Sequence, residues 1–274
     1  MRTNSVNNRC RIAVFTHDSK IWALPTWDKT LPVLMKNHDV VCMYVFPEKL
    51  KGDTTGNRTR YLRTFGVCNF VILVFFAIKS KLRNFVLKIG TWKQLCSKYN
   101  LTLKFGEDPN QLSVRNWVVE NSIDVVVIML VDIIKGRIID APRIGIVNKH
   151  ASILPSCKGL FPYFWAKMYD FPTGVTFYKV DRNIDSGKIL VQKSYPPKQS
   201  SNISVLRFYI DIFGMYPELL LKAVDALVEA KYSNVILPVE PSYYSFPDRR
   251  DYLKFRQKGE VFASWADLFY SSHC

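Results

Sequence analysis

The sequence predicts an α/β fold: a mostly parallel, twisted, Rossmann-like sheet flanked by helices. Three observations predict it. Short apolar runs alternate with helix-like stretches through the first half of the chain, and strands separated by helices imply right-handed βαβ units. Asp124 to Leu130, DVVVIML, is an unbroken apolar run, as a central parallel strand covered on both faces requires. The opening strand is followed by Thr16-His17-Asp18-Ser19 rather than GxGxxG, so a nucleotide-binding version of the fold lacks its phosphate loop.

Taken in order, Arg11 to Phe15 reads as a buried strand, and 22–36 as a helix entered through Leu24-Pro25-Thr26. Val40 to Phe46 is a second strand, stopped by Pro47. Residues 58–89 read as mostly helical and 91–99 as a short helix, before a third strand at Leu101 to Phe105. A helix over 110–121 has Asn110 as its cap. The strand 124–130 follows, then a short helix at Ile133 to Ile139 and a strand at Ile144 to Asn148. Gly174 to Val180 and Lys188 to Ser194 are two further strands. After Pro196-Pro197, Ile203 to Tyr232 forms a long amphipathic helical region, with bends expected at Gly214 or Pro217. The tail, 238–274, is rich in aromatics and charges, and its latter part reads as helical. The expected organisation is a catalytic domain over 1–200 and a small helical and aromatic C-terminal extension over 201–274.

With 48% hydrophobic residues, including 18 Phe, 14 Tyr and 6 Trp, the chain has ample material for a core and is not a disordered type. Its six cysteines form no CxxC and no His/Cys cluster, which argues against a structural zinc site and fits a reducing compartment. Met1-Arg2 leads into polar residues rather than an apolar leader, so a cytoplasmic location is expected. The longest apolar run, Phe70 to Ile78, is too short to span a bilayer.

The net charge is +15, and it is unevenly placed: ten Lys or Arg and no Asp or Glu lie between Thr54 and Gly106. Positive charge of this kind attracts phosphates, anionic lipid or nucleic acid. The apolar block Val67 to Ile78 sits inside that stretch, with Arg58, Arg60 and Arg63 before it and Lys79, Lys81, Arg83 and Lys88 after it. Two readings follow. One is a core helix with solvated basic flanks. The other is a helix over 58–88 that rests peripherally on an anionic membrane or meets a phosphorylated substrate.

Chemistry concentrates in residues 148–190. Asn148 and His150 stand two apart on an expected strand, so both side chains point to one side. In open α/β sheets the site lies beyond the carboxyl ends of the strands, where this pair falls. Asp185 precedes Ser186-Gly187. An amide, an imidazole and a carboxylate together suit polarising a carbonyl and moving a proton. Singly, a His after a strand is more often structural, and an Asp before Ser-Gly more often a turn residue. Cys157 has no base-and-orienter pattern around it and reads as a loop residue.

The segment resembles the folate-dependent formyltransferases, which include the glycinamide ribonucleotide, methionyl-tRNA and sugar N-formyltransferases. The family pattern is matched in order by Asn148-Lys149-His150, Ser152-Ile153-Leu154-Pro155, Gly159, Gly174-Val175-Thr176 and Asp181-Arg182-Asn183-Ile184-Asp185-Ser186-Gly187. The likeness is sharp over 124–192, general over 11–123 and weak after about 200. It implies the formyltransferase fold and formyl transfer from N10-formyltetrahydrofolate to a primary amine, with no metal. Asn148 and His150 are implied to stabilise the oxyanion, with His150 held protonated by Asp185. Asp185 is implied to orient His150 and accept the amine's proton. The matching pterin positions are Met129, Leu130, Val131, Asp132 and Ile133, with Asp181 and Ile184; Asp132 departs from the small or apolar residue usual there.

Three acceptors compete: an amino sugar carried on a nucleotide, methionyl-tRNA and glycinamide ribonucleotide. The tRNA enzyme has a C-terminal β-barrel, for which the tail shows no alternating strand signal, and Arg-Gly-Ala-x-Pro where this chain has Lys158-Gly159-Leu160-Phe161-Pro162. The loop's aromatics favour the nucleotide-linked amino sugar, with Lys158, Phe161, Tyr163 and Trp165 as candidate substrate-binding residues. A homodimer through the C-terminal helix is a further expectation. The reading from another class is a catalytically silent folate-binding or membrane-surface protein.

Overall fold

The computed structural model describes residues 9–48, 56–130, 132–195, 203–234, 237 and 239–270. A seven-stranded sheet runs in the order β3-β2-β1-β4-β5-β7-β8. Its members are β1 (Arg11–His17), β2 (Asp39–Phe46), β3 (Thr102–Phe105), β4 (Val125–Met129), β5 (Gly145–His150), β7 (Gly174–Lys179) and β8 (Ile189–Ser194). The first five pair in parallel; β5–β7 and β7–β8 are antiparallel. This is the mostly parallel, helix-flanked sheet that the sequence predicts.

The central strands alternate between two buried layers. Ile12 and Val14 face one with Trp27, Leu31, Phe208 and Leu220. Ala13 and Phe15 face the other with Val114, Val118 and Ile138. Helix α1 (Ala23–Asn37) and α6 (Val205–Val228) supply the first layer, and α4 (Leu112–Glu120) lies in the second. Helix α6 begins at Ser204, whose hydroxyl accepts from the Arg207 amide at 3.0 Å. Pro217 lies within it. The helix is buried against the sheet along Phe208, Ile212, Leu219, Leu220 and Val224. The expected domain boundary at 200/201 lies outside the described residues.

Two local expectations are corrected, at Asn110 and in the loop after β4. Asn110 does not cap α4, whose N-terminal flanking residue is Gln111. Its side chain instead accepts from the Lys135 amide at 2.7 Å and donates to the Ile133 carbonyl at 3.1 Å, fastening the loop after β4. That loop forms only a three-residue 3₁₀ turn, Gly136–Ile138, in place of a helix over 133–139. Helix α2 (Asn57–Val86) is interrupted at Gly66, where φ is +82°, a conformation open to glycine. The apolar material of α2 also extends beyond the nine-residue run: the 29 residues Arg58–Val86 are long and apolar enough to cross a membrane by length and composition, with a window of mean hydropathy 1.9 that is only 22% buried.

The tail returns to the sheet's carboxyl edge. Helix α7 (Arg249–Gln257) opens with an Asp248–Asp251 capping box. Phe255 stacks on Phe164 of α5 (Pro162–Met168) at 4.3 Å, and Phe262 on Phe65 of α2 at 3.7 Å. Two-residue strands β6 (Lys158–Gly159) and β9 (Tyr243–Tyr244) pair in parallel, tying residues 242–244 to the loop after β5.

Candidate active site

Antiparallel pairing of β5 with β7 sets Asn148 opposite Tyr178 and His150 opposite Thr176. Alternation then brings all four side chains to one face. The Asn148 amide donates to the Tyr178 hydroxyl at 2.7 Å, and that hydroxyl donates to Asp185 Oδ1 at 2.7 Å. The other carboxylate oxygen accepts from the Gly159 amide at 3.0 Å and lies 3.6 Å from His150 Nδ1. The three residues singled out in the sequence therefore meet in one network, linked by a tyrosine and a glycine amide.

The loop between β5 and β6 is held by side chains pointing inward. Thr176 Oγ1 donates to the Ser152 carbonyl at 2.7 Å and accepts from the Leu154 amide at 3.1 Å. Ser152 and Ser156 hydroxyls bond carbonyls within the loop. The Leu154–Pro155 peptide is cis. Gly159 has φ +91°, and a side chain there would run into the Tyr244 carbonyl. Asp185 itself is left-handed, φ +47°, which Asp tolerates. Gly187 lets the loop return flush against the Lys179 carbonyl, where a Cβ would collide.

His150 is 7% exposed. Its Nε2 lies 2.8 Å from the Cys157 carbonyl. A carbonyl only accepts, so Nε2 carries the proton and, in the neutral ring, Nδ1 presents its lone pair towards Asp185. Burial pushes the imidazole pKa below its ordinary value; the Asp185 charge and the Cys157 carbonyl oppose this without overcoming it. The expectation of a His150 held protonated by Asp185 is corrected accordingly: desolvation outweighs the ion pair. Burial also holds the Tyr178 hydroxyl far above its usual range, so it serves as a neutral donor. The Cys157 thiol is pushed up to about 12 by burial. That is incompatible with a thiolate nucleophile; the residue contributes its carbonyl.

The other expected site residues divide. Phe161 lies two residues past Gly159 in a left-handed conformation and lines a cavity of about 240 Å³ with His17, Trp22, Tyr61, Tyr209 and Phe213. Lys158 is half-buried in β6. Tyr163 and Trp165 are core side chains rather than substrate contacts. Tyr163 is 1% exposed and stacks on Phe208 at 3.8 Å. Trp165 stacks on Tyr244 at 4.8 Å and donates to the Ser245 carbonyl. Helical spacing along α5 turns both inward, against α6 and the tail. Met129 is buried, and its carbonyl faces His17 Nδ1 at 2.6 Å. Leu130 and Asp132 are half-buried, Ile133 and Ile184 are exposed, and Val131 lies outside the described residues. The Asp181 carboxylate braces its own loop, accepting from the Asn183 amide and the Ser186 hydroxyl.

Sequence reasoning missed Tyr178 and gave no role to Lys149, and it took Gly159 as a motif position without the amide that holds Asp185. The register of β5 with β7 carries Tyr178, and no local pattern announces it. Lys149 points to the opposite face, its ammonium 4.3 Å from the Phe213 ring. Burial pulls its pKa down to about 8, so a cation with weakened hold on its proton sits against a ring that lines the cavity.

At the strand ends of this mostly parallel α/β sheet, an amide, a tyrosine, a carboxylate and an imidazole form one network, an arrangement suited to polarising a carbonyl and moving a proton. Residues 91–206 match the family described as formyl transferase. Every member of the network lies in that segment, so the likeness to the formyl transferases falls on the part of the chain that carries the site. The methionyl-tRNA formyltransferase of Bacteroides thetaiotaomicron is 31% identical over 141 residues, covering 50% of this chain and 42% of the relative. That of Prochlorococcus marinus strain MIT 9215 is 27% identical over 211 residues, covering 75% and 55%. The chain thus spans about half the length of the curated relatives it matches, or less. Among solved structures, a sugar N-formyltransferase from a Shewanella species shares the fold at TM-score 0.54 and 15% identity, over 90% of this chain and 87% of that one. Glycinamide ribonucleotide transformylase 1 from Symbiobacterium toebii does so at 0.53 and 14%, over 86% and 92%.

Proposed function

We propose that this protein transfers a formyl group from N10-formyltetrahydrofolate to the amine of a nucleotide-linked amino sugar. The observation that carries the transfer is the linked network of Asn148, Tyr178, Asp185, Gly159 and His150. Asn148 has one amide hydrogen engaged by Tyr178 and a second free to meet the oxygen of an attacked carbonyl. A neutral acceptor amine attacks the formyl carbon, and charge develops on that oxygen. The proton released from nitrogen has an acceptor ready at the Nδ1 lone pair of His150, facing Asp185, and passes from there to the departing N10. Tyr178 and the Gly159 amide fix the carboxylate on both oxygens, so it holds position while charge moves.

For the formyl donor, the apolar side chains of Ile133 and Ile184 stand 47% and 41% exposed on the two loops matched to the pterin site, as a flat ring would require. The acceptor reading rests on the cavity from His17 to Phe161, whose aromatic lining suits a stacked base or sugar. One solved neighbour of this fold is an N-formyltransferase from Helicobacter canadensis in complex with folinic acid and dTDP-3-aminofucose.

Methionyl-tRNA is the second reading, favoured by the curated relatives and the +15 charge. Past Ile203 the described residues form two helices, a two-residue strand and a 3₁₀ turn, where a tRNA-binding barrel would need many strands. The deciding experiment supplies N10-formyltetrahydrofolate with a panel of amino-sugar nucleotides or with charged initiator tRNA. Release of tetrahydrofolate and a product heavier by one CO are then measured. A product only with tRNA would overturn the sugar reading; none with any amine, alongside folate binding, would mark a silent binder.

A further inference from the structure

Helix α2 is apolar outward as well as inward, where Phe65 and Ile72 are buried in the core and Phe76 packs on Trp22 at 5.0 Å. Its inward face carries polar side chains bonded to the body of the protein: Asn69 donates to the Tyr252 hydroxyl at 2.7 Å, Ser80 to the Ile21 carbonyl at 3.0 Å and Asn84 to the Lys20 carbonyl at 2.7 Å. The outward face carries Val67, Val74, Phe75, Ile78, Leu82, Phe85 and Val86 at helical spacing. Leu82 is 61% and Phe85 79% exposed. The patch continues onto the tail, where Trp265 packs 5.6 Å from Phe75 and Phe269 is 88% exposed. A soluble monomer seldom leaves so long an apolar stripe uncovered.

We propose that this face docks on an anionic membrane surface, with α2 lying in the headgroup plane. Charge argues for the occupant. At about 3.6 residues per turn, Lys79 and Arg83 flank one edge of the stripe and Lys81 the other, and the exposed Lys88 follows just past the helix end. No carboxylate occurs between Thr54 and Gly106. A second copy packed on the stripe would set these cations against their own kind, whereas anionic headgroups neutralise both rows. An aromatic fringe such as Trp265 and Phe269 suits the same interface. Crossing the bilayer would break the bonds from Asn69, Ser80 and Asn84 to the body, so the helix rests on the surface and does not insert through it.

The test is flotation of the full chain with vesicles of phosphatidylcholine alone or mixed with phosphatidylglycerol, over a range of salt. Wild type is expected to float with the mixed vesicles, to stay behind with phosphatidylcholine, and to release as salt rises. The double variant Leu82→Glu with Phe85→Glu should no longer float. Lys81→Glu with Lys88→Glu should lower the bound fraction about tenfold. Circular dichroism and formyl transfer to a soluble amine should be unchanged in both variants, since these side chains are exposed and away from the network; vesicle binding is read whether or not the acceptor is correctly assigned. Absence of wild-type flotation with the mixed vesicles, or equal flotation of wild type and both variants, would overturn the proposal. So would a wild-type dimer, seen by light scattering, that Leu82→Glu with Phe85→Glu separates while vesicles bind neither form; the face would then belong to a second copy.

Discussion

At the residue scale, Tyr178 is the hinge of the site, because its hydroxyl accepts from Asn148 and donates to Asp185. Tyr178→Phe keeps the ring and leaves an amide hydrogen and a carboxylate oxygen without their shared partner. Formyl transfer is expected to fall about 10- to 100-fold through misplacement, while folate binding, followed by fluorescence titration, stays near wild type. His150 gives a second expectation. Its pKa is depressed by burial, so the folded protein holds a neutral ring down to a pH below the ordinary value of about 6.5. A nitrogen-15 histidine titration should place its midpoint below 6.5; a midpoint above it would mean that Asp185 outweighs desolvation. Asn148, His150 and Asp185 were legible because their residue types and spacing are local. Tyr178 was not, since its role depends on a strand register set by residues thirty positions away. The downward push on the His150 pKa was not legible either, because burial is a property of the fold and not of its neighbours in sequence.

At the element scale, the strands were readable nearly to the residue, because continuous or alternating apolar runs have few competing explanations. Helix α2 was harder: its length was visible, but the direction in which it faces was not. Its apolar residues supply both sides: Phe65 and Ile72 go inward beside Asn69, Ser80 and Asn84, each of which finds a partner in the body, and Val74, Phe75 and Ile78 face out. The aromatic helix α5 misled in the opposite way, since its Tyr163 and Trp165 are core. The β6–β9 pair offers a sharp test of local geometry. Gly159→Ala combines a left-handed φ with a clash against the Tyr244 carbonyl. It is expected to lower stability by about 2 kcal/mol in urea unfolding. Turnover should fall as well, because the amide that holds Asp185 shifts.

At the scale of the whole molecule, composition bounded the class and the sheet carried the family likeness, but the tail's role was outside what local patterns reveal. Phe255 and Phe262 are essentially buried, stacked on α5 and α2. A chain ended after Asn234 is expected to lose cooperative thermal unfolding by circular dichroism, since deleting such aromatics costs about 3–5 kcal/mol each. The pairing of Lys158 and Gly159 with Tyr243 and Tyr244 has a consequence for grafting. Tyr243 and Tyr244 are stitched to the loop that positions the carboxylate. A chimera that grafted another protein's C-terminal half onto this one is therefore expected to receive a foreign tail and a displaced Asp185 together.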